Sequence, residues 1–165
     1  MKGISRKEMN VISFLELNEM FFFTRNNIKQ FFKNENEMNV YLHRLKQKGR
    51  IIKLNKTKYY LIPIRAFKGY WSEHPFIIVD EIFNGKDYYI GGMAAAHYWG
   101  LIEQIPTQIE VFCTKKQGSK RIFNFTIIFK RVRSINEKDF VKREIRGHGF
   151  FIASKKKVKE WLKSR

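Results

Sequence analysis

One cysteine stands in 165 residues, Cys113, so no disulfide can form within the chain. That argues against a secreted, disulfide-held scaffold, and a reducing cytoplasm is the expected compartment. No apolar run approaches the roughly 18 residues of a membrane-spanning helix. The stretch Phe21-Phe22-Phe23 is too short for a signal peptide and lacks its layout. A Gly-rich phosphate loop is also missing: Gly91-Gly92 has neither the spacing nor the lysine. The four histidines show no metal-ligand spacing, and no cofactor is expected. Acidic residues are scarce, 15 against 33 basic, which leaves a formal net charge of +18. Such an excess repels itself in a compact chain and suits a polyanionic partner. Nucleic acid is the first choice, and no membrane association is expected.

What is present can build a core. Hydrophobic residues make up 44% of the chain and aromatic residues 16%, enough for one domain or two small ones. The charge is uneven: residues 1–66 carry a net +9, residues 67–114 a net −4 and residues 115–165 a net +13. A nucleic-acid contact confined to the N-terminal region would leave the larger excess unexplained.

The stretch Asn34 to Ile62 organises the first part. Asn34 suits a helix N-cap, and Glu37 follows at capping-box spacing. Met38, Tyr41, Leu42 and Leu45 recur at three and four residues and share one helix face. Gly49 can end the helix in the left-handed conformation. Two short apolar runs, 50–54 and 59–62, flank the polar Asn55-Lys56-Thr57-Lys58 and predict a hairpin. Upstream, Ser5 and Glu8 match a capping box for a first helix with Met9, Ile12 and Leu15 or Leu17 buried. Phe21 to Phe23 link it to a short helix over 25–32, capped by Thr24, with Ile28, Phe31 and Phe32 inward. Helix, short helix, helix and hairpin in about 60 residues is the winged helix-turn-helix arrangement; a plain three-helix packing module is the alternative.

The outer face of the third helix reads Asn36, Asn39, Val40, His43, Lys46 and Gln47. Asn and Gln can bond an adenine edge with two hydrogen bonds, Lys can reach guanine or phosphate, and Val can touch a thymine methyl. The same residues also suit an ordinary solvated face. Arg25, Asn26 and Lys29 flank the path of a DNA backbone, and Lys56 and Lys58 stand on the wing. Lys115, Lys116, Lys120 and Arg121, in a basic loop over 115–120 and at its end, are the best second contact; Lys130, Arg131, Arg133 and the terminal lysines can extend it. Solubilising charge explains these equally well.

Beyond Pro63 a junction over 63–72, with Tyr70 and Trp71 expected to be covered, leads to a helix starting between Ser72 and Pro75. Its apolar side is Phe76, Val79, Ile82 and Phe83, and Gly85 ends it. An extended run 88–90, an Ala-rich helix 93–99 and strands over 108–114, 122–132, 140–145 and 150–153 follow, then a helix 155–164 capped by Ser154. His148 falls in a Gly-flanked turn. Trp71, Trp99 and Trp161 are expected as core anchors. The fold class is therefore α+β: a winged helix-turn-helix domain over 1–64, then a small α+β domain over 65–165 with an antiparallel or mixed sheet.

The run Tyr88-Tyr-Ile-Gly-Gly-Met-Ala-Ala-Ala-His-Tyr-Trp-Gly-Leu-Ile-Glu-Gln-Ile-Pro106 resembles the core motif of the AbiEi family of antitoxins. There an Ala-rich helix is followed by Gly-Leu-x-x-Gln-x-Pro, here Gly100, Leu101, Gln104 and Pro106, and then a strand. The resemblance implies an N-terminal winged helix and a cytoplasmic DNA-binding regulator that represses its own operon. It implies a functional pairing with a nucleotidyltransferase-like toxin in a type IV toxin-antitoxin system, without a stable complex. It also leaves room for a homodimer on the operator. Relatives usually carry an acidic residue and further helices after the segment matching Ile152 to Lys157, so a reduced or absent antitoxin part is expected here, with the DNA-binding part intact; a stand-alone regulator is equally allowed. The protein is not expected to be an enzyme. A metal-dependent nuclease is the rival: Glu110 opens a suitable strand, but Phe112 occupies the position that needs Lys, Asp80-Glu81 fall on a helix and Asp87 has no matching carboxylate. An RNA-binding protein and a protein-interaction module are further alternatives.

Overall fold

The computed structural model describes residues 3–64 and 73–164. The chain is α+β and divides into two compact units, Met1–Ser72 and Glu73–Arg165. Ser72, Tyr70 and Trp71, singled out above, lie outside the described residues.

In the first unit, α1 spans Arg6–Leu17. Ser5 Oγ accepts from Glu8 N at 3.3 Å while Glu8 Oε2 accepts from Ser5 N at 2.6 Å, a reciprocal cap. The buried stripe is Glu8, Val11, Ile12 and Leu15, at i, i+3, i+4 and i+7. Met9, expected inside, is 38% exposed, and of the alternatives Leu15 and Leu17 it is Leu15 that is buried. Ile12 and Leu15 are buried as expected, and Glu8, paired with Lys48, and Val11 complete the stripe in place of Met9.

Phe22–Thr24 is a strand, β1, rather than a link. It pairs antiparallel with β3 (Lys58–Leu61), which also pairs with β2 (Ile51–Lys53), so the order is β1-β3-β2. Phe23 stacks on its cross-strand partner Tyr59 with centroids 5.5 Å apart. The expected helix over 25–32 is one α-turn, α2 (Arg25–Ile28), tightened into a 3-10 turn over Lys29–Phe31. Asn27 Oδ1 holds its start, accepting from Thr24 N and Thr24 Oγ1 at 2.7 and 2.8 Å.

The third helix, α3, spans Glu35–Gln47. Asn34 Oδ1 accepts from Glu37 N at 2.9 Å. Glu37 does not return the cap to Asn34; its carboxylate accepts from Lys33 N at 2.8 Å. Gly49 at φ +67° turns the chain into β2. Asn55 Oδ1 accepts from the amides of Thr57 and Lys58 at 3.0 and 2.9 Å and builds the turn between β2 and β3. Val11, Ile12, Leu15, Ile28, Met38, Leu42 and Leu45 pack with Phe23, Ile51, Tyr59 and Leu61 into one core.

In the second unit, α4 spans Pro75–Phe83. His74 Nδ1 accepts from Phe76 N at 3.2 Å. That bond needs an unprotonated Nδ1, and burial, assisted by the Arg146 charge, pushes the imidazole pKa below its ordinary 6.5. Ile77 and Ile78 are buried along with the expected Phe76, Val79 and Ile82, so α4 is covered over a wider arc than a single stripe.

A six-stranded sheet follows with order β6-β7-β5-β4-β9-β8. The strands are β4 (Tyr88–Gly91), β5 (Gln108–Cys113), β6 (Gly118–Ile122), β7 (Phe125–Arg131), β8 (Phe140–Ile145) and β9 (His148–Ala153). Pairs β4/β9 and β5/β7 are parallel and the others antiparallel, so the sheet is mixed. The Ala-rich helix α5 (Gly92–Tyr98) follows β4, and α6 (Lys155–Lys163) follows β9.

The expected basic loop over 115–120 and the single strand over 122–132 are in fact a hairpin. Lys120 and Arg121 lie on β6, the chain turns at Phe123-Asn124, and β7 pairs back with Ile122 opposite Phe125. Phe123 sits at φ +52°, a conformation bulky residues rarely adopt. His148 begins β9 rather than lying in a turn; Arg146 and Gly147, at φ +53° and +79°, form the two-residue hairpin turn before it. Cys113 is fully buried, and its thiol meets Lys116 O at 3.3 Å.

The Gly91-Gly92 pair has a steric role. A Cβ on Gly91 would lie 2.6 Å from the Phe112 ring, and one on Gly92, at φ +59°, would overlap the Glu110 carboxylate. Gly92→Ala is expected to cost about 2 kcal/mol, the left-handed penalty plus displacement of Glu110. Urea unfolding checks this; a loss of only about 1 kcal/mol would mean that Glu110 moves freely and only the left-handed penalty remains.

Candidate nucleic-acid interface

Helix α3 separates its two faces cleanly. Met38, Leu42 and Leu45 are 1–5% exposed, whereas Asn36, Asn39, His43, Lys46 and Gln47 are all exposed and Val40 is 48% exposed. Spacings of three and four residues align these six side chains in one stripe. The stripe contains no acidic residue. Of the glutamates in the first turn, Glu37 is occupied by the Lys7 ammonium at 2.5 Å and by Lys33 N, and these bonds hold its carboxyl below the ordinary range. Glu35 remains at the helix start, beside the stripe.

An open depression of about 360 Å³ lies between α2 and α3. Arg25, Asn26, Lys29, Gln30, Lys33 and Asn34 line it, with Glu35 and apolar Phe32 and Met38. Asn26 and Lys29 are exposed. Arg25 is half-buried, and its Nε is buried without a hydrogen-bond partner, a donor left open at the start of α2. Lys33 was not among the expected contacts; its position in the turn before the Asn34 cap is the signal that could have placed it.

On the hairpin, Lys56 is exposed at the turn. Lys58 is half-buried at the start of β3, opposite Thr24 of β1. The two therefore differ: Lys56 faces solvent, and Lys58 is part of the sheet.

The second-unit candidates divide differently. Lys115 pairs with Asp87 at 2.7 Å, both largely exposed. Lys116 is half-buried, with its ammonium 5.1 Å from the centroid of Phe83 and 5.6 Å from that of Phe129. Burial lowers its pKa. Lys120 is half-buried on β6, and Arg121 is exposed. The four are not one free basic loop.

The acidic residues weighed for metal chemistry are each engaged. Asp80 meets Tyr88 and His148, Asp87 meets Lys115, and Glu110 Oε1 meets Lys130 Nζ at 2.9 Å. Glu110 Oε2 is buried without a hydrogen-bond partner. Among the described residues no three or more His, Cys, Asp or Glu side chains converge as metal ligands, and no helix is long and apolar enough to cross a membrane. Trp99 donates from Nε1 to Ala153 O at 2.8 Å and lies under Arg143, an anchoring position rather than an open platform. No protein-family model matches the chain, and no curated protein matches it.

Proposed function

We propose that the first unit is a winged helix-turn-helix and that the protein is a sequence-specific regulator binding double-stranded DNA. The observation that carries this is the α3 stripe: six aligned exposed side chains, none acidic, on a helix whose other side is anchored in the core. In this proposal Asn36, Asn39, His43, Lys46 and Gln47 face base edges in the major groove. Lys56, Arg25, Asn26 and Lys29 hold phosphates. The hairpin β2–β3 acts as the wing and Lys58 supports it. The motif over 88–106 further suggests an AbiEi-like antitoxin that represses its own promoter, as a homodimer on the operator, and works alongside a nucleotidyltransferase-like toxin without binding it stably. The family assignment rests on that motif alone.

The test is a salt titration of binding to the DNA upstream of its own gene and to a scrambled duplex, with Mg²⁺ present and the products checked for cleavage. Sequence-preferring binding without cutting is expected. Asn39→Ala should cost roughly 1–3 kcal/mol on the preferred duplex and relax discrimination at one base pair. Equal loss on both duplexes would remove Asn39 from base readout, and cut DNA would favour the nuclease.

A further inference from the structure

We infer that the lysine ridge of α6 is a second phosphate-contacting surface for duplex DNA. Lys155, Lys159 and Lys163 follow one another at four-residue spacing along this helix, with Lys156 beside them. All four are exposed, and none is in an ion pair among the described residues. The fifth lysine, Lys157, is tied to Asp139 at 3.2 Å and stays out of the ridge. A rise of 1.5 Å per residue puts the aligned ammonium stems about 6 Å apart, a row that can follow a charged backbone.

In the first turn the placement runs against what the helix needs for its own stability, whereas Lys163 in the last turn suits the dipole. Ser154 Oγ caps it by accepting from Lys157 N at 3.3 Å, yet the first turn holds three lysines and no acidic residue. Positive charge at a helix N-terminus opposes the backbone dipole, and Asp139 offsets only Lys157. A local rule broken without structural compensation is where function is expected. Within α6 five lysines face a single acidic residue, Glu160.

Duplex DNA is favoured over a lipid surface because the apolar side of α6 is already used. Val158 is 1% exposed, and Trp161 and Leu162 are half-buried, so the helix has no free apolar face to insert. The choice of DNA as the polyanion rests on the function proposed above. In the basic segment at 115–120, by contrast, Lys115 is held by Asp87 and Lys116 lies against Phe83 and Phe129.

The experiment uses the full chain with Lys155, Lys156, Lys159 and Lys163 all changed to Gln. Gln has nearly the helix propensity of Lys, so helicity and Tm should hold, as checked by circular dichroism. The slope of log K against log salt on random duplex DNA should become shallower by about 3.6, at about 0.9 per phosphate contact. That removes roughly 150-fold of the affinity lost between 50 and 200 mM salt. Glu160→Gln, which takes away the one anion beside the ridge, should strengthen binding. An unchanged slope in the folded four-Gln variant overturns the inference, including the case where only its binding to phosphatidylserine vesicles falls. If the wild type prefers neither duplex, the sequence-specific function fails, while a shallower slope in the variant would still establish the ridge.

Discussion

Glu8→Ala is expected to destabilise the first unit by about 3 kcal/mol, the lower end of what removing one partner of a buried ion pair costs. Glu8 is 1% exposed, and Lys48 Nζ donates to its two oxygens at 2.8 and 2.6 Å. The pair fastens the first turn of α1 to the residue that closes α3. Alanine would leave the Lys48 ammonium, 16% exposed, without its counter-charge and Ser5 N without its acceptor. Lys48 can reach water by a rotamer change, which keeps the loss near the lower end. Glu8→Gln should lose less, since the amide oxygen can still cap Ser5. The pH dependence separates charge from shape. Burial alone would raise the Glu8 pKa, but the hydrogen bonds from Lys48 and Ser5 outweigh it and hold the pKa below the ordinary 4.5. The unfolded chain therefore binds the proton more readily than the folded one. This part of the stability is fully present above about pH 4.5 and is lost as pH falls through the folded value. Urea unfolding of wild type and Glu8→Gln should show a gap at pH 7 that narrows towards pH 3. A constant gap would mean that the carboxylate charge contributes nothing.

The features legible in the sequence are those fixed by near neighbours. The Asn34 cap, the Met38, Leu42 and Leu45 stripe and the Gly49 stop lie within one helix, and all three occur as expected. The exposed row from Asn36 to Gln47 follows, because burying one face of a helix presents the other. Features set by distant partners were not legible. β1 is three residues long and exists because Tyr59 and Tyr60 lie opposite Phe23 and Phe22. Asn124 is the one turn-favouring residue between Ile122-Phe123 and Phe125, so the apolar residues on either side run together as one strand until β6 is paired against β7. Lys115 and Lys116 look free in sequence; their partners Asp87, Phe83 and Phe129 come from other elements. The lysine spacing on α6 is readable in the sequence, whereas the tethering of Lys115 and Lys116 is not, because their partners are distant in the chain.

Asp80→Ala should cost the second unit about 3 kcal/mol, because one side chain satisfies two groups from different strands. Tyr88, 1% exposed, donates its hydroxyl to Asp80 Oδ1 at 2.7 Å and accepts from Phe151 N at 3.2 Å. Asp80 Oδ2 meets His148 Nε2 at 2.9 Å, so α4 is joined to β4 directly and to β9 through both partners. Burial and the Asp80 bond push the Tyr88 pKa far above its ordinary 10, which keeps the hydroxyl a donor across the working pH range. Alanine leaves that donor without its acceptor in the core beside Phe83, whose ring stacks on Tyr88 at 5.0 Å. Asp80→Asn separates the contributions. Its carbonyl can still accept from Tyr88, and its amide can donate to His148 in the tautomer that carries its proton on Nδ1. It should therefore cost only about 1 kcal/mol, and Tyr88→Phe in that background should add about 1–3 kcal/mol, because it breaks the retained bond and leaves Phe151 N without its acceptor. Chemical denaturation of the three variants, read alongside near-ultraviolet circular dichroism of the tyrosines, decides it. Equal losses for Asp80→Asn and Asp80→Ala would mean that the carboxylate charge, rather than the bond to Tyr88, holds these strands to α4.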